Sequence, residues 1–207
     1  MLTGGHPNSL GRTIEVVDTV LADSARFDEL YLCYRSADEV VRLRVSNAMR
    51  RVEAVRHDLL VPYIDRFIEE IGALDQPSAQ WTLAKLFEAL EGEMTPAQRS
   101  AAEAIMRRNL AEHDDWIVRN NTMEALFNWS KEDADLRTWI KPHLERLAKD
   151  RRKSVASRAN KLLAKQSGMI ASFSRALMEG VQYDMSEEEY EATLNASIQS
   201  IFDASKA

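Results

Sequence analysis

The stretch VRLRVSNAM at residues 41–49 recurs as a pattern three times farther along the chain. Its counterparts are AQWTLAKLF at residues 79–87, VRNNTMEAL at residues 118–126 and VASRANKLL at residues 155–163. Small or apolar residues occupy the first, fifth, eighth and ninth places of each stretch, and these places share one face of a helix. Successive stretches begin 38, 39 and 37 residues apart. Such a regular period predicts a repeated helical unit.

A second helix is expected before each of these stretches. VPYIDRF at residues 61–67 and KPHLERL at residues 141–147 share a proline, an acidic residue and an arginine at the same spacing. A proline inside a helix removes a backbone hydrogen bond and bends the helix. A bent first helix followed by a straighter second helix resembles the HEAT-repeat family, as does DEVVRLR at residues 38–44. The resemblance covers about residues 9–165 and implies an all-α fold, a right-handed-type solenoid of about four HEAT-like helix pairs with helical caps.

Residues at the expected helix ends support this interpretation. Thr95 has the position of an N-cap, with a proline after it and a glutamine three residues on. The first helix, at about residues 9–21, is expected to cap the array. The HEAT resemblance also implies that Asp38 in a turn and Arg44 in a second helix bridge adjacent repeats, although later repeats depart from this pattern.

The C-terminal stretch carries a second resemblance. ANKLLAKQSGMIASFSRAL at residues 159–177 and IFDASKA at residues 201–207 resemble the C-terminal region of bacterial class I fructose-bisphosphate aldolases. In that family the segment equivalent to residues 170–175 is the last strand of a barrel, so the resemblance implies a vestigial phosphate site at Arg175. A complete barrel needs eight strands, and the earlier strand with the family's Schiff-base lysine is missing. We therefore expect no aldolase activity and hypothesise a chimeric junction at residues 159–165.

The charge of the chain is uneven and suggests two domains. The net charge is −6, and residues 166–207 contain seven acidic and two basic side chains. We expect a helical repeat domain at residues 1–165 and an acidic C-terminal cap or tail at residues 166–207. Neither part has the concentrated positive field that nucleic-acid binding requires.

Two helices are expected in the acidic segment, at about residues 169–179 and 186–205. Ser186 and Glu189 have the spacing of a capping box. An apolar stripe at helical spacing follows and consists of Tyr190, Leu194, Ile198, Ile201 and Phe202. We expect these helices to cap the open end of the repeats; a loosely attached tail is the alternative.

Motifs of catalytic and metal sites are not found in the sequence. The four histidines have no metal-binding spacing, and there is no glycine-rich phosphate loop and no nucleophile elbow. Cys33 lies among apolar residues and is expected to be a buried, inert thiol. No run of 18 apolar residues and no signal peptide are apparent. These observations favour a cytoplasmic monomer that is not an enzyme and has no cofactor or metal.

A stripe on the second helix of the third repeat is the candidate binding site. It combines tryptophan, arginine and apolar residues, which are common in interface hot spots, and equivalent positions in earlier repeats extend it into one groove. The predicted site comprises Arg42, Gln80, Trp116, Arg119, Met123 and Phe127. The alternative is that Met123 and Phe127 pack against the neighbouring repeat.

Three functions follow as hypotheses. The first is a non-catalytic protein-binding scaffold that uses the groove lined by the second helices. The second is nucleic-acid binding or DNA repair, because some HEAT-like proteins are alkylpurine DNA glycosylases and basic residues cluster at Arg50-Arg51, Arg107-Arg108 and Arg151-Arg152-Lys153. The third is an aldolase-related docking role without aldolase activity. The near-neutral charge of the repeats makes nucleic acid the less suitable partner and favours a protein partner.

Overall fold

The computed structural model describes residues 1–6, 9–166, 180, 181 and 185–204. No β-strand occurs among these residues, which confirms the all-α class for the described part of the chain. The α-helices are α1 (Thr13–Ala22), α2 (Phe27–Leu32), α3 (Glu39–Glu53), α4 (Ile64–Arg66), α5 (Pro77–Leu90), α6 (Pro96–Glu112), α7 (Trp116–Trp129), α8 (Ala134–Leu147), α9 (Lys153–Gln166) and α10 (Glu187–Ala204).

The chain divides into two compact units, which we call the helical unit (Met1–Ala159) and the C-terminal unit (Asn160–Ala207). The division falls within α9, a few residues before the expected domain boundary. In the C-terminal unit, the predicted capping box opens α10. The backbone N–H of Ser186 donates to the Glu189 carboxylate at 2.9 Å, and the N–H of Glu189 donates to Ser186 Oγ at 3.4 Å. The expected helix at residues 169–179 lies outside the described residues.

The repeated pattern forms the core-facing side of the helices that carry it. α5 packs against both α3 and α7, and α1 packs against α3. All four pattern positions are buried in α3, α5 and α7, which confirms the register predicted from the sequence. These side chains are Val41, Val45, Ala48, Met49, Ala79, Leu83, Leu86, Phe87, Val118, Thr122, Ala125 and Leu126. Each large aliphatic side chain contributes roughly 1.5–3 kcal/mol on burial, so this stripe is a main source of stability.

The two proline-containing segments differ in structure although their sequences match. Pro142 lies inside α8, as expected for a bent helix. Pro62 instead lies in the first turn of a 3-10 helix, Val61–Tyr63, which is followed by the short α4 and a π-helical turn at Phe67–Ile71. Pro142 follows two turns of its own helix, whereas Pro62 follows a single 3-10 turn, His57–Leu59, and lies at the start of its helical segment. In place of one bent α-helix, residues 61–71 form an uninterrupted segment of 3-10, α and π turns.

Helix caps follow the local sequence. Thr95 and Gln98 form the predicted capping box at the start of α6, with the Thr95 N–H donating to Gln98 Oε1 at 2.9 Å. At the start of α7 the carboxylate of Asp115 accepts from the backbone N–H groups of Ile117 and Val118. A carboxylate at this position also favours the helix because it faces the positive end of the helix dipole.

Arg44 is buried and holds the N-terminal segment instead of an acidic side chain. Its guanidinium donates to the backbone carbonyls of Leu2 and Gly4, both at 2.6 Å, and to two further carbonyls in this segment. Asp38 caps α3 by accepting from Val40 N–H at 2.8 Å. The expected Asp38–Arg44 bridge is therefore not formed. The carbonyls satisfy the donors of a charged group that would be costly to bury alone.

Candidate binding surface on the second helices

Arg42, Gln80 and Arg119 occupy the same place in three helices. Each is the fourth residue of its helix, in α3, α5 and α7 respectively. Side chains in a helix lean toward its N-terminus, so each of the three reaches back to the loops between helices. We call them the ladder residues, and the sequence had predicted that they line a groove.

Arg42 connects α3 to the start of α5. Its guanidinium donates to the carbonyl of Ser36 at 2.6 Å and is hydrogen-bonded to the side-chain oxygen of Gln76. The Gln76 amide in turn donates to the carbonyl of Glu39 at 3.0 Å. Arg42 is therefore a link between α3 and the start of α5, with its Nε and one terminal nitrogen bonded within the protein.

Gln80 is 2% exposed and lies at the centre of a buried polar network. Its Nε2 donates to the carbonyls of Leu74 at 2.7 Å and Ile71 at 3.1 Å. Its Oε1 accepts from Nδ2 of Asn109 on α6 at 2.8 Å. Each of these carbonyls also accepts from a backbone N–H, so the Gln80 amide is a second donor that ties the loop to α5. Because the side chain is buried, the prediction that Gln80 lines an accessible groove is wrong.

Arg119 lies in a charged cluster between α7 and the loop before α9. It forms ion pairs with Asp150 at 3.2 Å and Asp114 at 3.3 Å. Asp150 also accepts from the Arg152 guanidinium at 2.8 and 2.7 Å. Hydrogen bonds from Arg152, with the nearby charge of Arg119, hold the pKa of the Asp150 carboxyl well below its usual range. Arg119 thus fixes a loop in the way that Arg42 does.

The apolar part of the predicted stripe is also buried. Met123 is 0% exposed and Phe127 is 7% exposed, whereas Trp116 is 45% exposed. Met123 and Phe127 belong to the core of the helical unit, which agrees with the packing alternative considered for them. An exposed stripe across Trp116, Met123 and Phe127 is therefore not formed, because α7 is enclosed by packing against both α5 and α6.

An open groove does lie on the second helices, on a different face. The groove has a volume of about 500 Å³ and is formed by α3, α5 and α7. Its residues begin one position after the ladder residues of α3 and α5, and one residue rotates the side chain by about 100° around the helix. We call it the second-helix groove; it is lined by Leu43, Asn47, Arg50, Arg51, Ala54, Trp81, Thr82, Lys85 and Asn121.

The cations of the second-helix groove differ in how they are paired. Arg50 and Arg51 are exposed, and in the part of the chain that the structure describes neither forms an ion pair with a carboxylate. Arg51 Nε donates to Asn47 Oδ1 at 2.8 Å. Lys85 is paired with Glu88 at 2.9 Å and Glu124 at 3.0 Å. One end of the groove is therefore positively charged, and the other end is neutralised.

The floor of the groove is partly apolar. Leu43 and Trp81 are both partly exposed, and the carbonyl of Trp81 accepts from Asn121 Nδ2 at 3.3 Å. Leu43, Trp81 and Asn121 were not predicted as site residues from the sequence. Leu43 and Asn47, like Trp81 and Lys85, nevertheless have the four-residue spacing of one helix face. That spacing was the available signal.

A larger cleft elsewhere is a weaker candidate. It has a volume of about 830 Å³ and lies where α6, the end of α7 and the start of α8 meet. Three of its charged groups are engaged with one another: Arg99 pairs with Glu91 at 3.1 Å and with Asp133 at 3.6 Å. The Asp133 carboxylate also caps α8 by accepting from Leu136 N–H at 2.8 Å.

Other features concern the expectations for the cysteine, for a metal site, for a membrane span and for Arg175. Cys33 is partly exposed, so the expectation of a buried thiol is wrong. Its thiol donates to the carbonyl of Glu29 at 3.3 Å, and partial burial raises the pKa of the thiol. Among the described residues, no three histidine, cysteine or acidic side chains are grouped so that they could hold a metal ion. No helix in the described ranges has the length and apolar character needed to cross a membrane. Arg175, the vestigial phosphate site, lies outside the described residues.

The chain is similar to bacterial proteins described as fructose-bisphosphate aldolase class 1. The protein from Clostridium acetobutylicum is 29% identical over 116 residues, which are 56% of this chain and 39% of that protein. The protein from Porphyromonas gingivalis is 32% identical over 113 residues, which are 53% of this chain and 37% of that protein. The chain thus spans less than two fifths of the length of these curated relatives.

The matches to these aldolases are longer than residues 159–207, the segment in which the resemblance was recognised from the sequence. Residues 159–207 are too few to account for 116 or 113 matched positions, so the similarity reaches into the helical unit. The resemblance recognised from residues 159–177 and 201–207 therefore covers less of the chain than the matched stretch does. No family model and no solved structure matches the chain. The HEAT-like assignment accordingly stays a prediction.

Proposed function

We propose that the helical unit is a HEAT-like solenoid that acts as a non-catalytic protein-binding scaffold through its second-helix groove. The observation that carries the proposal is the combination of Arg50 and Arg51, which have no carboxylate partner in the described part of the chain, with Trp81 beside them. Arginine and tryptophan are enriched among the residues that dominate binding energy at interfaces. Stacked helix pairs characteristically present such extended surfaces to partners.

The packing of the helices supports this use of the fold. α5 lies between α3 and α7, and the ladder residues join consecutive pairs. Links of this kind hold neighbouring helices in fixed register. A rigid surface loses little conformational freedom on binding, which favours affinity.

Affinity capture with matched variants tests the proposal. The full chain and two variants serve as baits in a bacterial lysate: Arg50→Glu/Arg51→Glu in the groove, and Arg151→Glu as a control at an exposed arginine outside the groove. We expect a protein that is retained by the full chain and by Arg151→Glu and lost with the groove variant. Equal retention by all three baits would contradict the proposal.

A second function, an aldolase-related protein, is favoured by the similarity to two aldolases over more than half of the chain. In this alternative the chain derives from an aldolase relative, or docks to one, and does not cleave substrate itself. Its activity is tested by incubating the full chain with fructose 1,6-bisphosphate and measuring triose phosphate release, with the heat-denatured protein as control. We expect no release above the control; measurable cleavage would make the chain an enzyme and replace the scaffold proposal.

A further inference from the structure

The charge of the second-helix groove points to one kind of partner. Resting on the function proposed above, we infer that the groove binds an acidic peptide segment that carries an aromatic or aliphatic anchor. The anchor occupies the apolar floor at Leu43 and Trp81, and the acidic side chains of the segment face Arg50 and Arg51.

The two arginines differ from those arginines of the helical unit that carboxylates neutralise. Arg66 is paired with Asp28 and Glu70, both at 2.9 Å. Arg107 is paired with Glu103 at 2.7 Å. Arg50 and Arg51, by contrast, keep their charge available in a protein whose net charge is −6. An acidic partner would supply the missing counter-charge, and long-range attraction would speed its association and fix its orientation.

The size of the groove favours a segment over a folded domain. About 500 Å³ accommodates a few side chains, and it lies within the range typical of sites for small ligands. Exposed ion pairs add little affinity because water and salt screen them. The anchor at Leu43 and Trp81 would therefore supply most of the affinity, and the charges would supply selectivity.

Single-stranded nucleic acid also combines negative charge with rings that stack on tryptophan, but the far end of the groove opposes it. There Glu88 and Glu124 neutralise Lys85, and Glu124 also pairs with Arg158 at 2.8 Å, so this end carries no excess positive charge. A phosphate backbone that followed the groove from Arg50 and Arg51 would meet these carboxylates, whereas binding of such a backbone depends on a continuous basic surface. A short acidic segment can end before them.

A display selection tests the inference without a known partner. The immobilised full chain is used to select from an mRNA-displayed library of random peptides, and enriched peptides are measured by fluorescence anisotropy. We expect enriched sequences in which acidic residues flank an aromatic or aliphatic residue. Their affinity should fall at least tenfold for Arg50→Glu/Arg51→Glu, should be unchanged for Arg151→Glu, and should weaken as salt is raised.

The outcomes separate the inference from the function on which it rests. If the enriched peptides bind the groove variant more weakly but are neutral or basic, the inference of an acidic partner is wrong and the proposed scaffold function stands. If no peptides are enriched, or if the enriched peptides bind the groove variant as tightly as the parent, both the inference and the proposed function are wrong. Groove-dependent binding of labelled oligothymidine, tighter than that of the peptides, would replace the peptide with nucleic acid. If Arg50→Glu/Arg51→Glu alters the circular dichroism spectrum, Arg50→Gln/Arg51→Gln takes its place.

Discussion

Two faces of the same second helices have opposite roles. On the face of the ladder residues, Arg42, Gln80 and Arg119 direct their polar groups to loops of the protein itself. On the face of the second-helix groove, Arg50 and Arg51 are exposed and pair with no carboxylate of the described residues, although Arg51 Nε bonds to Asn47. The two faces begin one residue apart along α3 and α5. Arginines occur on both faces, so residue type alone does not distinguish a structural arginine from a binding arginine. What distinguishes them is whether a loop lies within reach.

The largest change in stability is expected from a substitution in the core of α7. Met123→Ala removes a fully buried side chain, and we expect a loss of about 2–5 kcal/mol in the free energy of unfolding. Trp116→Ala, on the exposed side of the same helix, should cost less than about 1 kcal/mol. Urea denaturation followed by circular dichroism measures both. A Met123→Ala protein as stable as the parent would mean that Met123 is available for binding, as first predicted from the sequence.

A second test compares polar side chains on the two faces. Gln80→Ala removes the second donor to the carbonyls of Ile71 and Leu74, which keep a backbone N–H donor each, and leaves the Asn109 amide without the Gln80 oxygen. Such losses cost about 1–3 kcal/mol. Asn47→Ala in the groove removes only an acceptor for Arg51 and should change stability by about 0.5 kcal/mol or less. Equal losses in thermal or urea unfolding would erase the distinction between the ladder and the groove.

A third test uses pH to examine the ladder at Arg119. Because the pKa of the Asp150 carboxyl is lowered in the folded protein, its stabilising contribution is fully present above the unfolded value of about 3.9 and is lost as the pH falls toward the folded value. Asp150→Asn should therefore cost about 1–3 kcal/mol at neutral pH, and the difference from the parent should shrink below about pH 4.

The control for this pH test is Asp58→Asn. The Asp58 pKa is also lowered, first by a hydrogen bond from Arg56, but this pair is on the surface and joins residues two positions apart. Urea titrations at neutral and acid pH should show a smaller and less pH-dependent change for this variant. A pH-independent loss in Asp150→Asn would show that the cluster does not act through its charge.

Sequence reasoning succeeded where the deciding interaction is local. The buried register of Val45, Leu83 and Leu126 follows from apolar spacing within one helix, and it is correct. The capping boxes at Thr95 and Ser186 involve groups three residues apart, and both are formed. Helix propensity and capping depend on neighbours in the chain, so they can be predicted without knowledge of tertiary contacts.

The binding site was harder to predict because the role of each polar side chain depends on partners that are far away in the sequence. The carbonyl acceptors of Arg44 lie about 40 residues away, and the donor to Gln80 Oε1 is Asn109 on another helix. No periodic pattern indicates such contacts. The basic pair Arg50-Arg51 was visible in the sequence, but only the structure shows that no described carboxylate pairs with it.

The smallest expected effect is also the one that separates binding from stability. Arg50→Ala and Arg51→Ala should each change the free energy of unfolding by about 0.5 kcal/mol or less, because the side chains are exposed and their charges near the end of α3 contribute only modestly to the helix dipole. Chemical denaturation measures this, with Arg42→Ala as the ladder counterpart that should cost more. If Arg50→Ala or Arg51→Ala destabilises the protein as much as Arg42→Ala does, then these arginines also serve the fold, and the two faces of the second helices are not distinct. If they leave stability unchanged, the protein keeps two adjacent cations that its own fold does not require, which is the condition for a surface selected to bind something else.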